Sequence, residues 1–240
     1  MTLDVEAPFR VRWEAMATLA LALLVLAGAS DGGLAAVPPA EATPEVKALV
    51  DRMQAFYERT EDFTASFRQD YAYKTFGRTV TSTGTVAFKK PAQMRWDYLT
   101  PSKRSFVLSG EKVYAWDPAA QTLTRGAMPQ SQLSSSVTFL WGRGRLLEEF
   151  NIVRVPCSDC QGVLLVLTPR KADARFRELR LELDPKTAQV RRSVVVDPDG
   201  SENSILFSNL RTNTGLTKER FVLDVPAGTQ VLDAPAPPHP

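Results

Sequence analysis

The stretch Thr85–Leu99, TVAFKKPAQMRWDYL, decides how the chain is read. Lys89-Lys90-Pro91 divides it, and beyond the division Met94, Trp96 and Tyr98 alternate with Arg95 and Asp97. Period-two alternation marks a half-buried strand, with the large apolar side chains on one side of a sheet. Such a face serves as packed core or as the wall of a cavity, and the rest of the chain must decide between them.

Upstream, Phe63, Ala65, Phe67, Gln69, Tyr71 and Tyr73 share one face while Thr64, Ser66, Arg68 and Asp70 share the other. Strands are expected at Val80–Lys89, Ser105–Leu108, Lys112–Trp116 and Gln121–Arg125, separated by signals such as Ser109-Gly110 and Asp117-Pro118. They resume at Ile152–Val155, Val163–Thr168, Phe176–Leu183, Val190–Val196, Ile205–Leu210 and Arg220–Val225. Along Phe176–Leu183, the face of Phe176, Glu178, Arg180 and Glu182 is mostly charged and that of Leu179, Leu181 and Leu183 is apolar. A sheet with one wet and one dry side is the antiparallel habit. So many strands imply strong curvature, which limits exposed edges.

Helices are few. Thr43-Pro44-Glu45 has the form of an N-cap, a proline at the first position and an acidic first turn, followed at helical spacing by Val46, Leu49, Val50, Met53, Phe56 and Tyr57 to about Thr60. Two short helices are expected around Val137–Trp141 and around Leu146, Leu147 and Phe150. An apolar run such as Phe139-Leu140-Trp141 must be covered or must cover something.

At the start, Arg10 and Arg12 precede the uncharged run Ala15–Ala29, which ends in the small-x-small Ala27-Gly28-Ala29. At about fifteen residues the run is short of the ~20 that span a bilayer. Residues 1–36 therefore read as an export signal cleaved near 29 or 36, with 37–43 a linker, 44–232 one folded domain and 233–240 a Pro-rich tail. Irregular structure is expected from Pro226 onward. No cysteine stands near either cleavage point to take a lipid anchor.

The chemistry is sparse. The single histidine, His239, lies in the tail, which removes imidazole-based nucleophile systems and most zinc sites. No catalytic set, metal site or cofactor is expected. Glu61-Asp62 and Glu148-Glu149 read as solvated carboxylates. With a net charge of +2 and both signs interspersed, nothing points to nucleic acid. Cys157 and Cys160 stand between two strands and read as a small disulfide-closed loop, with a redox centre as the other reading. What remains is aromatic and aliphatic surface, the composition of an apolar binding site.

In order along the chain come FTASFRQ at 63–69, GTVAFKKP at 84–91, MRWDY at 94–98 and LSGEKVYAWDP at 108–118. Phe139-Leu140, GRLL at 144–147, LTP at 167–169 and FVLDVPAGT at 221–229 follow. Together these resemble the periplasmic outer-membrane lipoprotein carrier family, LolA. The resemblance implies a mainly β fold, a single unclosed antiparallel β-barrel whose helices cover an apolar cavity. It implies a non-enzymatic periplasmic monomer that takes triacylated lipoproteins from an inner-membrane ABC-type releasing transporter and hands them to an outer-membrane acceptor. Candidate cavity residues are Val50, Met53, Phe67, Phe88, Met94, Trp96, Phe106, Phe139 and Leu140, each equally suited to an ordinary core. In that family an arginine before the proline ties the lid to the barrel. Here Lys90 keeps the charge without the planar fork, and Arg95 is a second candidate latch. A lipid- or lipoprotein-sensing regulator on the same half-barrel, a membrane-tethered acceptor, and a thiol oxidoreductase using Cys157 and Cys160 are the other readings.

Overall fold

The computed structural model describes residues 42–127 and 144–234. The Lys-Lys-Pro break turns the chain between two long strands, β2 (Arg78–Lys89) and β3 (Gln93–Thr100), which pair antiparallel with Phe88 opposite Met94 and Val86 opposite Trp96. With β1 (Asp62–Tyr73), β4 (Arg104–Ser109), β5 (Lys112–Asp117) and β6 (Thr122–Ala127) they form one meander. A second meander comprises β7 (Phe150–Val155), β8 (Val163–Pro169), β9 (Glu178–Leu183), β10 (Val190–Val196) and β11 (Glu202–Thr212). Strands β1 and β11 join the two halves. β12 (Gln230–Asp233) adds to β6 in parallel, so a single sheet of twelve strands runs from β12 to β7 without closing.

Residues opposite one another across a ladder share a face, so one side of the sheet can be followed from strand to strand. Val113 and Ala115 meet Leu108 and Phe106, which meet Met94 and Trp96, then Phe88 and Val86, then Phe63 and Ala65. In the second meander the same side carries Leu179, Leu181, Leu165, Leu167 and Ile152, all fully buried. Helix α1 (Pro44–Arg59) lies against this inner side, where its Val46, Val50, Met53 and Tyr57 join one core with Phe63, Phe88 and Leu165. Thr43 caps it, its hydroxyl oxygen accepting the Val46 N–H at 3.3 Å.

Gly84 lets this wall pack. It sits on the inner side between Phe67 and Tyr98, and a Cβ there would strike the Asp97 carbonyl oxygen and come within 2.7 Å of the Phe67 ring. Gly84→Val is expected to cost about 2 kcal/mol, the usual scale for overpacking. Urea unfolding checks it; a stability equal to that of the wild type would contradict this packing.

Several expectations are corrected. Phe150 begins β7 and does not continue helix α2 (Leu146–Glu149), because its ring is buried and stacks on Phe176 at 6.2 Å. Phe176 is accordingly buried, and strand β9 starts only at Glu178. Glu182 is also buried, ion-paired to Arg192 at 3.1 Å and accepting the Gln161 N–H at 2.8 Å. No strand forms over Arg220–Val225. A 3-10 helix, Lys218–Phe221, crosses the outer side there and buries Phe221 against Ala87 and Val107. Within the stretch expected to be irregular, Gln230–Asp233 forms β12, fastened by the Arg125–Asp233 ion pair at 2.6 Å.

Candidate functional site

Helix α1 meets the sheet through apolar side chains along its length and through polar ties at its middle and its C-terminal end. Val50 and Met53 are wholly buried against the inner side, as is Phe88, and Phe67 is nearly so. Met94, Trp96 and Phe106 lie on the same side, partly buried. The Phe67 ring meets Trp96 edge-on at 4.9 Å and Tyr98 at 5.0 Å, and Tyr98 in turn meets Phe106 at 5.6 Å. The structure thus brings Val50, Met53, Phe67, Phe88, Met94, Trp96 and Phe106 to one apolar surface. Phe139 and Leu140 lie outside the described residues. Among the described residues an open hollow of 330 Å³ lies beside Lys47 and Phe150 and another of 280 Å³ beside Tyr73 and Arg78. Neither is lined by Val50, Met53, Phe67, Phe88, Met94, Trp96 or Phe106.

The C-terminal carbonyls of a helix lack intrahelical partners and carry partial negative charge. At the end of α1, Lys90 Nζ donates to the carbonyl oxygens of Tyr57 at 3.1 Å and Glu58 at 2.7 Å. Thr60 Oγ1 donates to Phe56 O at 2.8 Å, and Asn213 Nδ2 reaches Arg59 O at 3.5 Å. On the other meander, Arg52 donates to Pro185 O and Lys186 O at 3.1 and 2.6 Å, and the Val190 N–H donates to Tyr57 Oη at 3.3 Å. Lysine therefore reaches two carbonyls without the planar fork.

Arg95 does not share this position. Strand alternation turns it to the outer side, where it pairs with Asp97 at 2.9 Å and donates to the carbonyl oxygens of Arg220 and Val222 at 3.2 and 3.0 Å. It holds the segment that follows β11 and makes no contact of this kind with α1.

Asp62, read from sequence as solvated, is 2% exposed. Its oxygens accept from the Thr214 N–H and hydroxyl at 2.7 and 3.0 Å and from the N–H groups of Gly215 and Leu216 at 2.9 and 3.0 Å. Burial pushes this carboxyl up, but the donors of Thr214, Leu216 and Gly215 together outweigh burial and hold it below the ordinary carboxylate range. Neither Asp62 nor Asn213 was marked by the sequence, since their partners lie some 150 residues away.

Cys157 and Cys160 are joined by a disulfide in the loop between β7 and β8, with Cα atoms 5.5 Å apart. Among the described residues no cluster of His, Cys, Asp and Glu is arranged to hold a metal, and no helix is long and apolar enough to cross a membrane.

Comparison with known proteins bears on this arrangement. The chain is 28% identical over 184 residues to the outer-membrane lipoprotein carrier protein of Dechloromonas aromatica (strain RCB), covering 76% of this chain and 86% of that one. It is 27% identical over 186 residues to the protein of the same description from Pseudomonas aeruginosa (strain UCBPP-PA14), covering 77% and 88%. A crystal structure of an uncharacterized conserved protein from Thermus thermophilus superposes with a TM-score of 0.50 at 14% identity, over 78% of this chain and 98% of that one, a likeness of fold alone. The family model described as outer membrane lipoprotein carrier protein LolA matches residues 58–224. With well over half of its length matched, the chain belongs to the LolA family of outer membrane lipoprotein carrier proteins.

Proposed function

We propose that the chain is a periplasmic carrier that takes triacylated lipoproteins released by an inner-membrane ABC-type transporter and delivers them to an outer-membrane acceptor. Its acyl-chain site is the inner side of the sheet beneath α1. The observation that carries this reading is an apolar surface continuous across the strands, covered by a helix whose polar ties are confined to its middle and its C-terminal end.

Burying acyl carbon contributes about 0.8 kcal/mol per methylene, so one chain of ordinary length offers roughly 10 kcal/mol gross. Affinity is easy to obtain, and release without an energy source is the harder requirement. A surface already filled by Val50 and Met53 meets it. Lipid enters only as α1 gives up its own contacts, which lowers net affinity by the free energy of docking the helix.

Lys90 is the latch in this scheme. Lys90→Met removes a charged donor from two carbonyls, and in a half-exposed setting the loss is about 1 kcal/mol, some fivefold in an equilibrium. The variant is expected to bind a triacylated lipopeptide about fivefold tighter and to release it more slowly to acceptor membranes. Lys90→Arg, with its fork, is expected to do the reverse. Unchanged binding in both variants would remove Lys90 from the scheme.

The reading as a whole is tested with membrane vesicles that hold the releasing transporter, a lipoprotein and ATP. Added protein is expected to bring lipoprotein into the soluble fraction in a stable one-to-one complex. Recovery of none would contradict the carrier function.

A further inference from the structure

A row of hydrogen-bonded polar side chains crosses the apolar inner wall. Tyr98 on β3 donates its hydroxyl to Gln69 Oε1 on β1 at 2.9 Å, and Gln69 Nε2 donates to Asn203 Oδ1 on β11 at 2.8 Å. One step along β1, Tyr71 donates to Asp197 at the end of β10. The register sets all of them on the inner side: Tyr98 stands opposite Gly84, Gln69 opposite Ile205, and Tyr71 opposite Asn203. The next residue toward α1 on that side of β1 is Phe67, whose ring touches Trp96 and Tyr98.

Polar groups in a wall suited to alkyl chains cost free energy unless their hydrogen bonds are met. This row meets its own acceptors but not all of its donors. A primary amide carries two N–H groups; Gln69 spends one on Asn203, and Asn203 Nδ2 donates to no atom of the described residues. Burial pushes the Tyr98 phenol up to about 12, so the ring stays neutral and its hydroxyl donates to Gln69. The Tyr98–Gln69–Asn203 row therefore offers half-buried, uncharged N–H donors beside aromatic surface. An anionic headgroup would call for a cation, which the row lacks. A neutral carbonyl attached directly to an alkyl chain fits it.

We infer that Gln69 and Asn203 hold the ester and amide carbonyls of an acylated cysteine, while the attached alkyl chains run past Phe67 toward the space under α1. This rests on the carrier reading and adds to it a recognition of the linkage between lipid and protein. Acyl carbonyls are held by directed bonds at one end of the surface, and the chains beyond them by burial alone. The row thereby distinguishes an acylated cysteine from a hydrocarbon of equal length.

The test uses two synthetic hexapeptides. In one, the N-terminal cysteine carries a palmitoyl amide and a glyceryl thioether bearing two palmitoyl esters; in the other, two hexadecyl ethers replace the esters. Wild-type protein is expected to bind the ester form about tenfold tighter, the scale of two hydrogen bonds, and Gln69→Leu/Asn203→Leu to bind the two forms alike. Equal binding of both forms by the wild type, or a preference kept by the double variant, overturns the inference and leaves the carrier reading standing. Binding of neither form by the wild type overturns both. The wild-type comparison decides even if the double variant does not fold.

Discussion

Met53→Ala is expected to lower stability by about 3 kcal/mol and yet to bind a triacylated lipopeptide ten- to a hundredfold tighter. The loss of stability follows from burial. Met53 is 0% exposed beneath α1, and truncating a methionine in such a place removes transfer free energy and leaves a cavity. The gain in binding follows from competition. Apparent affinity falls with the fraction of molecules whose helix is off the sheet, so a helix that docks less well leaves the surface open more often. Of a ~3 kcal/mol loss the whole reaches the binding equilibrium only while the open form stays rare, hence the range. An ordinary core truncation would weaken both properties together. Urea unfolding and lipopeptide titration on the same preparation check the pair of signs. Weaker binding would show that α1 helps to hold the ligand and does not compete with it.

Asp62→Ala is expected to cost about 3 kcal/mol or more, because it strands the buried N–H groups of Thr214, Gly215 and Leu216 together with the Thr214 hydroxyl. The effect should spread along the chain. These residues lead into the outer segment that buries Phe221 and that Arg95 ties down. Asp62→Asn keeps the size but sets an N–H against backbone N–H groups, so it should be destabilising as well. The pH dependence has a definite sign. The folded carboxyl lies below its unfolded value, which is about 3.9. Its contribution is therefore complete above that value and disappears as pH falls through the folded one. The gap between wild type and Asp62→Asn should be widest near about pH 7 and shrink below about pH 4. A gap that stays constant into acid would contradict the role assigned to the ionised carboxylate.

What could be read in advance follows from which signals are local. Alternation is local, and it located β1 to β5 and the inner positions of Met94, Trp96 and Tyr98. Capping is local as well, and Thr43-Pro44 marked the start of α1. Where a side chain goes once strands from distant parts of the chain meet is not local. Glu182 stood on a charged face by periodicity and became buried because Arg192 and Gln161 close over it. Phe221 looked like part of a strand, but the small residue Ala87 opens a place for it on the outer side, and Arg95 takes the carbonyls a strand neighbour would use. Gln69 and Asn203 stand 134 positions apart, and nothing near either one announces their bond. The inner surface was thus legible as a surface, whereas its polar row and the anchoring of the 213–222 segment were not. The resemblance to lipoprotein carriers singles out Lys90, whereas its bonds to the Tyr57 and Glu58 carbonyls are visible only in the fold.

The central claim is that acyl chains take the place of α1 on the inner side of the sheet. Amide hydrogen exchange of the full chain, free and loaded with a triacylated lipoprotein, tests it most directly. On loading, the amides from Val46 to Tyr57 are expected to exchange faster by one to two orders of magnitude while those of β1, β2 and β3 keep their protection. Identical exchange along α1 in the free and loaded protein would contradict the account.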